Sequence, residues 1–325
     1  VNLLNMQFTL NYSKKIQYLI MKYRTLLDCI VVIGLFASSC NQGPKKVMTR
    51  NGLNVPAHIV IVIEENHGYD QIIGSAAAPY INKLAAEGAI FTDSHGVTHP
   101  SQPNYLAIYS GTTMGIPGDQ CLKDTTTPFT TPNLGAALIQ NGYTFKGFAQ
   151  TMPSPGYLDC NYLKSDLTGG TVYGRKHCPW INWQGDKKNN IPDSLSQPMT
   201  AFPKDFNQLP TVAFAIPDMD YDMHNIGNPG DSAAISRGDN WLKENLGDYV
   251  EWAKTHNSLL IVTYDEDQFT TNNHILTIFV GANIKPGKYA ERINHESGRK
   301  TMQAREGLNV IDTTNAIVIR DVWKK

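Results

Sequence analysis

An α/β domain, with a mostly parallel central sheet and helices on both faces, is the fold class this sequence predicts. Two observations carry it. Apolar runs too continuous for strands with one wet face alternate with segments of helical periodicity, the order of a parallel sheet with crossover helices. The apolar runs also end in acids, amides and hydroxyls, and ligands of open α/β sheets bind just beyond the carboxyl ends of the strands.

The elements follow in order. The first forty residues stand apart from the fold: "MKYRTLLDCIVVIGLFASSC" opens on Lys22 and Arg24, stays apolar to Phe36 and ends in small residues before Cys40. That is the layout of a secretory signal, and its apolar part is too short for a membrane span. It resembles a bacterial lipoprotein signal in which Cys40 becomes the lipidated first residue; plain secretion with cleavage nearby is the alternative. The expected organisation is therefore a signal region over 1–40, a polar tether over 41–56 and a single domain over 57–325.

His58–Ile63 reads as a buried strand feeding the loop Glu64-Glu65-Asn66. "PYINKLAAEGA" predicts a helix stopped by Gly88, and "AIFTDSHG" a short strand. "PNYLAIYSG", from Pro103, predicts a helix with proline near its start and Gly111 at its end. "TPNLGAALIQNGYTFKGFA" gives a helix, a turn and a strand. Met152 to Gln208 is rich in Pro, Gly, Asn and aromatics without clear period, too long for a simple connection, and reads as a substrate-side excursion. "PTVAFAIPD" is a strand ending in an acid. Residues 231–256 form a long amphipathic helix capped by Asp231. "SLLIVTYDEDQ" and "HILTIFVGANIKPG" are strands, and "NVIDTTNAIVIRDVW" closes the chain.

Lys and Arg number 28 against 29 Asp and Glu, a net charge of −1. With no basic stripe, a nucleic-acid partner is not expected. After Cys40 the chain keeps Cys121, Cys160 and Cys178. In an exported protein this odd set implies one disulfide, with three pairings open.

Three strands end in acid clusters: Glu64-Glu65, Asp218 to His224, and Asp265-Glu266-Asp267. On one sheet edge such charges raise one another's pKa unless a cation lies among them. Carboxylates mixed with histidine suit Zn²⁺, Mn²⁺, Fe or Ca²⁺. Glu64 alternates to the other side of its strand and is left out. Asp265 and Glu266 are adjacent, so they share an ion only where the chain has left strand geometry. Ser101, in "THPSQPNYLAIYSG", suits a helix N-cap. It also suits a nucleophile, which needs a base or a metal to activate it. No Gly-x-Ser-x-Gly elbow is present, so metal activation is the better reading. A helix N-terminus behind it would offer N–H groups to an anion. Together these point to phosphoryl transfer through a phosphoserine.

"IVIVIEENHGYDQIIG", "THPSQPNYLAIYSG", "PDMDYDMHN", "TYDEDQ" and "INH" occur in the order seen in the bacterial phosphoesterase family. That family holds secreted acid phosphatases and phospholipases C within the alkaline phosphatase superfamily, and the chain resembles it from His58 to its end. The resemblance implies an alkaline-phosphatase-like fold and one or two divalent metal ions. It makes Glu65, Asn66, Asp265 and Glu266 metal ligands and Ser101 both ligand and nucleophile. Asn104 would hydrogen-bond the transferring phosphoryl oxygens. Asp222, His224 and the late His295 would complete a second ion site, with Asp218 and Asp220 as alternatives to Asp222. "YGRKHCPW" resembles a segment that brings basic residues to substrate, so Lys176 and His177 become phosphate binders. His99, two residues before Ser101, is a further group to test.

Two departures from the family pattern stand out. After His295 the family continues with an aromatic and an aliphatic run, where this chain reads "ESGRKTMQ". Cys178 stands where relatives commonly carry Asn, which favours Cys121–Cys160 as the disulfide and leaves Cys178 free. The resemblance implies an exported, metal-dependent acid phosphatase, periplasmic, surface-anchored or secreted. It would act on small phosphate monoesters or phosphoinositide headgroups and touch the membrane only through a lipid anchor at Cys40. A phosphodiesterase of phospholipase C type and a non-catalytic metal-binding surface lipoprotein are the alternatives.

Overall fold

A computed structural model describes residues 49–50, 53–123, 127–308 and 316–324. The expected signal region, with Cys40, lies outside the described residues. Strands β1 (Thr49–Arg50) and β2 (Leu53–Asn54) pair as a short antiparallel hairpin.

The domain is organised by β3 (His58–Glu64), every residue of which is buried. Its side chains alternate between two cores, as the period of a strand requires. Ile59, Ile61 and Ile63 enter one core and Val60 and Val62 the other. A strand apolar on both faces cannot sit at a surface, which explains the unbroken run in the sequence. Around it lie α1 (Tyr69–Ile72), α2 (Pro79–Glu87), β4 (Ala89–His95), α3 (Ser101–Ser110), α4 (Leu134–Gln140) and β5 (Phe145–Ala149). The excursion carries β6 (Asn161–Lys164), β7 (Thr171–Gly174) and β8 (Ser196–Pro198) with several 3-10 turns. Then follow β9 (Val212–Ile216), α5 (Asp231–Ala253), β10 (Ser258–Tyr264), β11 (His274–Gly281), β12 (Gly287–Tyr289), β13 (Ile293–Asn294) and α6 (His295–Arg305).

The main sheet has nine strands in the order β12-β4-β11-β10-β3-β9-β5-β8, with β13 also on β4. Its pairings are parallel except for β11, which runs antiparallel to both β10 and β4. The predicted mostly parallel sheet is thus present. Residues of α3 and α4 line one core, and those of α2 and α5 the other. β3 and β10 pair without a slip from His58↔Ser258 to Glu64↔Tyr264. The loops after them therefore leave the sheet side by side, and β9 joins on the other flank of β3.

Three local findings refine the sequence reading. Gly230, not Asp231, is the N-cap residue of α5; the Asp231 carboxylate instead meets His67 Nε2 at 2.9 Å. The chain after His295 does form a helix, although it lacks the expected apolar run. Its polar side chains are covered by the C-terminal segment: Lys300 Nζ donates to Ala316 O at 3.0 Å, and Ile319 N–H to Thr301 Oγ1 at 2.9 Å. The Arg305 guanidinium lies 3.8 Å from the ring centre of Trp323. The disulfide is Cys121–Cys160, and Cys178 is free and buried, as the resemblance implied.

Candidate active site

All ten residues of α3 are buried, so this helix is a central strut, not a surface element. Pro100 precedes it, and Gly111 ends it in the left-handed region at φ 84°. There a Cβ would stand 2.4 Å from the Arg299 guanidinium, so only glycine fits. Ser101 is the first helical residue. Its Oγ donates to Glu65 Oε2 at 2.9 Å and approaches Glu266 Oε1 at 3.5 Å. The loops after β3 and β10 and the start of α3 therefore meet at the serine.

β10 ends at Tyr264, so Asp265 and Glu266 lie beyond the strand and escape its alternation. Asn66 adopts φ 56°, and its N–H donates to Asp265 Oδ1 at 3.1 Å. His177, from the excursion, is enclosed between two carboxylates. Its Nε2 lies 3.1 Å from Glu65 Oε1 and its Nδ1 3.1 Å from Asp222 Oδ2. Its ring stacks on Tyr105 at 4.9 Å and 10°, which fixes its plane. Glu65, His177 and Asp222 place donor atoms within 4.8 Å of one another.

The electrostatics of this cluster are strained. Burial, then the charge of Glu65, pushes Asp222 and Asp265 well above the usual carboxylate range. Glu266 is pushed up to about 8 by burial, with Glu65 and Asp119 adding to it. Burial, helped by Lys176 and His224, holds His177 well below its ordinary value, so its imidazole is neutral. Glu65 Oε1, Asn66 Oδ1, His177 Nε2, Asp222 Oδ2 and Asp265 Oδ2 are buried without a hydrogen-bond partner. The His177–Glu65 approach is thus close but not aligned for a hydrogen bond. An unsatisfied buried polar group costs about 1–3 kcal/mol, and more when charged. Glu65, His177 and Asp222, whose donor atoms lie within 4.8 Å of one another, form a set that fits a divalent cation.

The other sequence candidates sit around this centre. Asn104 is fully buried. Its Oδ1 accepts from the N–H groups of Val97 and Thr98 at 3.0 Å each. Its Nδ2 donates to Thr98 O at 2.7 Å and lies 3.4 Å from Glu266 Oε2. The carboxamide therefore builds the loop before Ser101. His224 is at the rim, its N–H on Asp222 Oδ1 at 2.9 Å and its ring centre 5.8 Å from that of His177. His295 opens α6 behind the cluster and donates through Nε2 to the Asp265 carbonyl at 2.6 Å. Burial lowers it to about 4. Lys176 Nζ lies 3.3 Å from His224 Nε2 and 2.6 Å from Asp119 Oδ2. Burial opposes its charge, but Glu65, Asp119 and Asp265 hold its pKa above the ordinary lysine value. Asp218 accepts from Thr151 Oγ1 at 2.5 Å and Asp220 from Thr168 Oγ1 at 2.7 Å, so both are engaged by the excursion. Glu64 lies on the opposite face, beside Asp239 and Tyr264.

Sequence reasoning gave His177 a place on the phosphate, and the structure brings it into the carboxylate triad. It passed over Tyr105 and Asp119 altogether. Tyr105 reads as an ordinary core aromatic, and Asp119 as one polar residue of a Gly-Pro loop. His99 proves close, with Nδ1 2.7 Å from Glu266 Oε2.

The mostly parallel sheet, with a serine, carboxylates and histidine beyond its strand ends, has the alkaline phosphatase architecture. A protein of that superfamily from Vibrio parahaemolyticus shares the fold, with a TM-score of 0.52 at 13% identity over 78% of this chain and 66% of its own. Residues 75–309 match the Phosphoesterase family, and the chain belongs to that family. A phosphatidylinositol-3-phosphatase of Mycobacterium tuberculosis is 41% identical over 297 residues, 90% of this chain and 92% of that protein. An acid phosphatase of Aspergillus fumigatus is 27% identical over 68% of this chain; the chain spans 47% of that fungal protein. The chain is a hydrolase acting on phosphoric ester bonds.

Proposed function

We propose that this protein is an exported, metal-dependent phosphatase that cleaves phosphate monoesters, phosphoinositide headgroups among them, through a phosphoserine at Ser101. The observation that carries the reading is the Ser101 hydroxyl at the head of α3, held by Glu65 and Glu266 among buried donor atoms that lack partners. The mycobacterial relative supports a phosphoinositide monoester as substrate. The Cys121–Cys160 disulfide supports an oxidising compartment. A lipid anchor at Cys40 belongs to the same proposal.

Glu65, Asn66, Ser101, Asp265 and Glu266 would hold one divalent cation. Glu65, His177 and Asp222 would hold a second, with His224 at its edge. Bound cations supply positive charge that lowers the pKa of a neighbouring hydroxyl and stabilises charge developing on a phosphoryl group. The protein's residues do the rest. The Ser101 hydroxyl gives up its proton to solvent, Oγ attacks phosphorus in line with the leaving oxygen, and the P–O bond to that oxygen breaks as the departing group takes a proton from water. Lys176, at the rim, meets the phosphoryl oxygens. Asn104 keeps the loop before Ser101 in place, and His295 does the same for the backbone at Asp265. Water then releases phosphate from the serine.

Turnover of p-nitrophenyl phosphate against bis-p-nitrophenyl phosphate tests the reading. A clear preference for the diester would replace it with a phosphodiesterase of phospholipase C type. Unchanged function in Ser101→Ala would leave only a metal-binding surface protein.

A further inference from the structure

Lys176 carries a flexible ammonium at the edge of a strongly acidic cluster, where Glu65 and Asp265 both attract it. Left to that attraction, the ammonium would fold onto the carboxylates and occupy cation space. In the structure the ammonium takes its carboxylate hydrogen bond from Asp119, on a separate loop. Asp119 Oδ2 accepts from Lys176 Nζ at 2.6 Å, and Asp119 Oδ1 accepts from the Gln102 N–H at 2.9 Å. Gln102 follows Ser101 in the first turn of α3. One carboxylate thus ties the cation to the helix that carries the nucleophile.

A loop staple is the plain alternative for Asp119, but the loop is already stapled. Gln102 Nε2 donates to Gly118 O at 2.8 Å and to Gln120 O at 2.9 Å. The neighbouring Cys121 is bonded to Cys160. What the carboxylate adds is its charge, directed at an ammonium whose side chain is only 15% exposed. We infer that Asp119 is a positioning residue: it keeps the Lys176 ammonium from collapsing onto the acidic cluster by tying it to the first turn of α3, the turn that opens with Ser101, where it meets a phosphoryl oxygen. The inference rests on the phosphatase reading of the site, because it gives Lys176 the phosphate as its partner.

The test is a double-variant cycle of Asp119→Ala and Lys176→Ala, with Asp119→Asn as a charge control. It reads kcat/KM on p-nitrophenyl phosphate, calorimetric binding of inorganic phosphate, and the thermal midpoint. Asp119→Ala and Asp119→Asn should each lower kcat/KM by about a hundredfold, the scale of loss when a catalytic contact is misplaced by an ångström. Phosphate binding should weaken in both, with the thermal midpoint retained. In the Lys176→Ala background the Asp119 change should cost nothing further. An equal loss in both backgrounds with a matching fall in thermal midpoint would return Asp119 to a loop staple, and so would wild-type behaviour of Asp119→Asn. A native protein that binds phosphate but turns over no ester would overturn the phosphatase reading; the coupling of Asp119 to Lys176 would still be read in the phosphate affinities.

Discussion

Replacing His177 by alanine separates two roles for the same side chain. The native imidazole is neutral and puts one nitrogen 3.1 Å from Glu65 and the other 3.1 Å from Asp222. A neutral ring has one N–H, so its second nitrogen turns a lone pair toward a carboxylate oxygen. Two like-signed electron pairs at that distance call for a cation between them. Groups that merely support a metal ligand cost about 10–100-fold in affinity when removed. A group in the coordination shell should cost at least a hundredfold, or about 2.8 kcal/mol at 1.4 kcal/mol per decade. The His177→Ala protein, dialysed beside the native one, should lose its divalent ion by elemental analysis and regain part of its kcat at high added metal. His177→Gln, which keeps the bulk under Tyr105, should show the same loss and so separates ligation from packing. Native ion content combined with a raised KM for p-nitrophenyl phosphate would refute this reasoning and return His177 to the phosphate.

Ser101→Ala should abolish turnover while keeping the ion, checked by elemental analysis and steady-state assay. Chelation should lower the thermal midpoint, because an ion present at a hundredfold over its Kd contributes about 2.7 kcal/mol; an unchanged midpoint counts against a bound ion. Gly147→Ala should cost about 3 kcal/mol in denaturant unfolding, the upper end for overpacked cores. Its Cβ would fall 2.1 Å from Trp180 Cε2, and the Trp180 ring is itself fully buried. Burial pushes the Cys178 thiol far above its ordinary value, so at pH 8 it should resist iodoacetamide until denaturant is added; rapid native labelling, read by mass spectrometry, would contradict the burial.

The sheet was legible because its strands are buried on both faces, which forces unbroken apolar runs such as His58–Ile63. The antiparallel direction of β11 was not, because strand direction leaves no mark on hydrophobic pattern. The short link from Asp265 to Asn273 only hints at the reversal. Ser101, Glu65, Asp265 and Glu266 could be placed because each abuts a clear element end. His177 and Asp119 sit in irregular segments whose course is set by distant contacts, so their partners had to be seen. Helix α6 shows the converse limit: its polar side chains are met by backbone groups of Ala316 and Ile319 and by the ring of Trp323, so no apolar stripe is needed there.

The unslipped pairing of β3 with β10 has a kinetic meaning. It brings together residues far apart in the chain: Asn66 meets Asp265 across 199 positions, and Ser101 meets Glu266 across 165. Contacts of such separation form slowly, because the loop between them must close before the contact repays it. Parallel neighbours also need a crossover before they can pair. The acidic pocket is therefore expected to assemble late in folding and not to nucleate it. An ion bound across these loops would mark a chain whose topology is already complete, and its capture would work as a final latch.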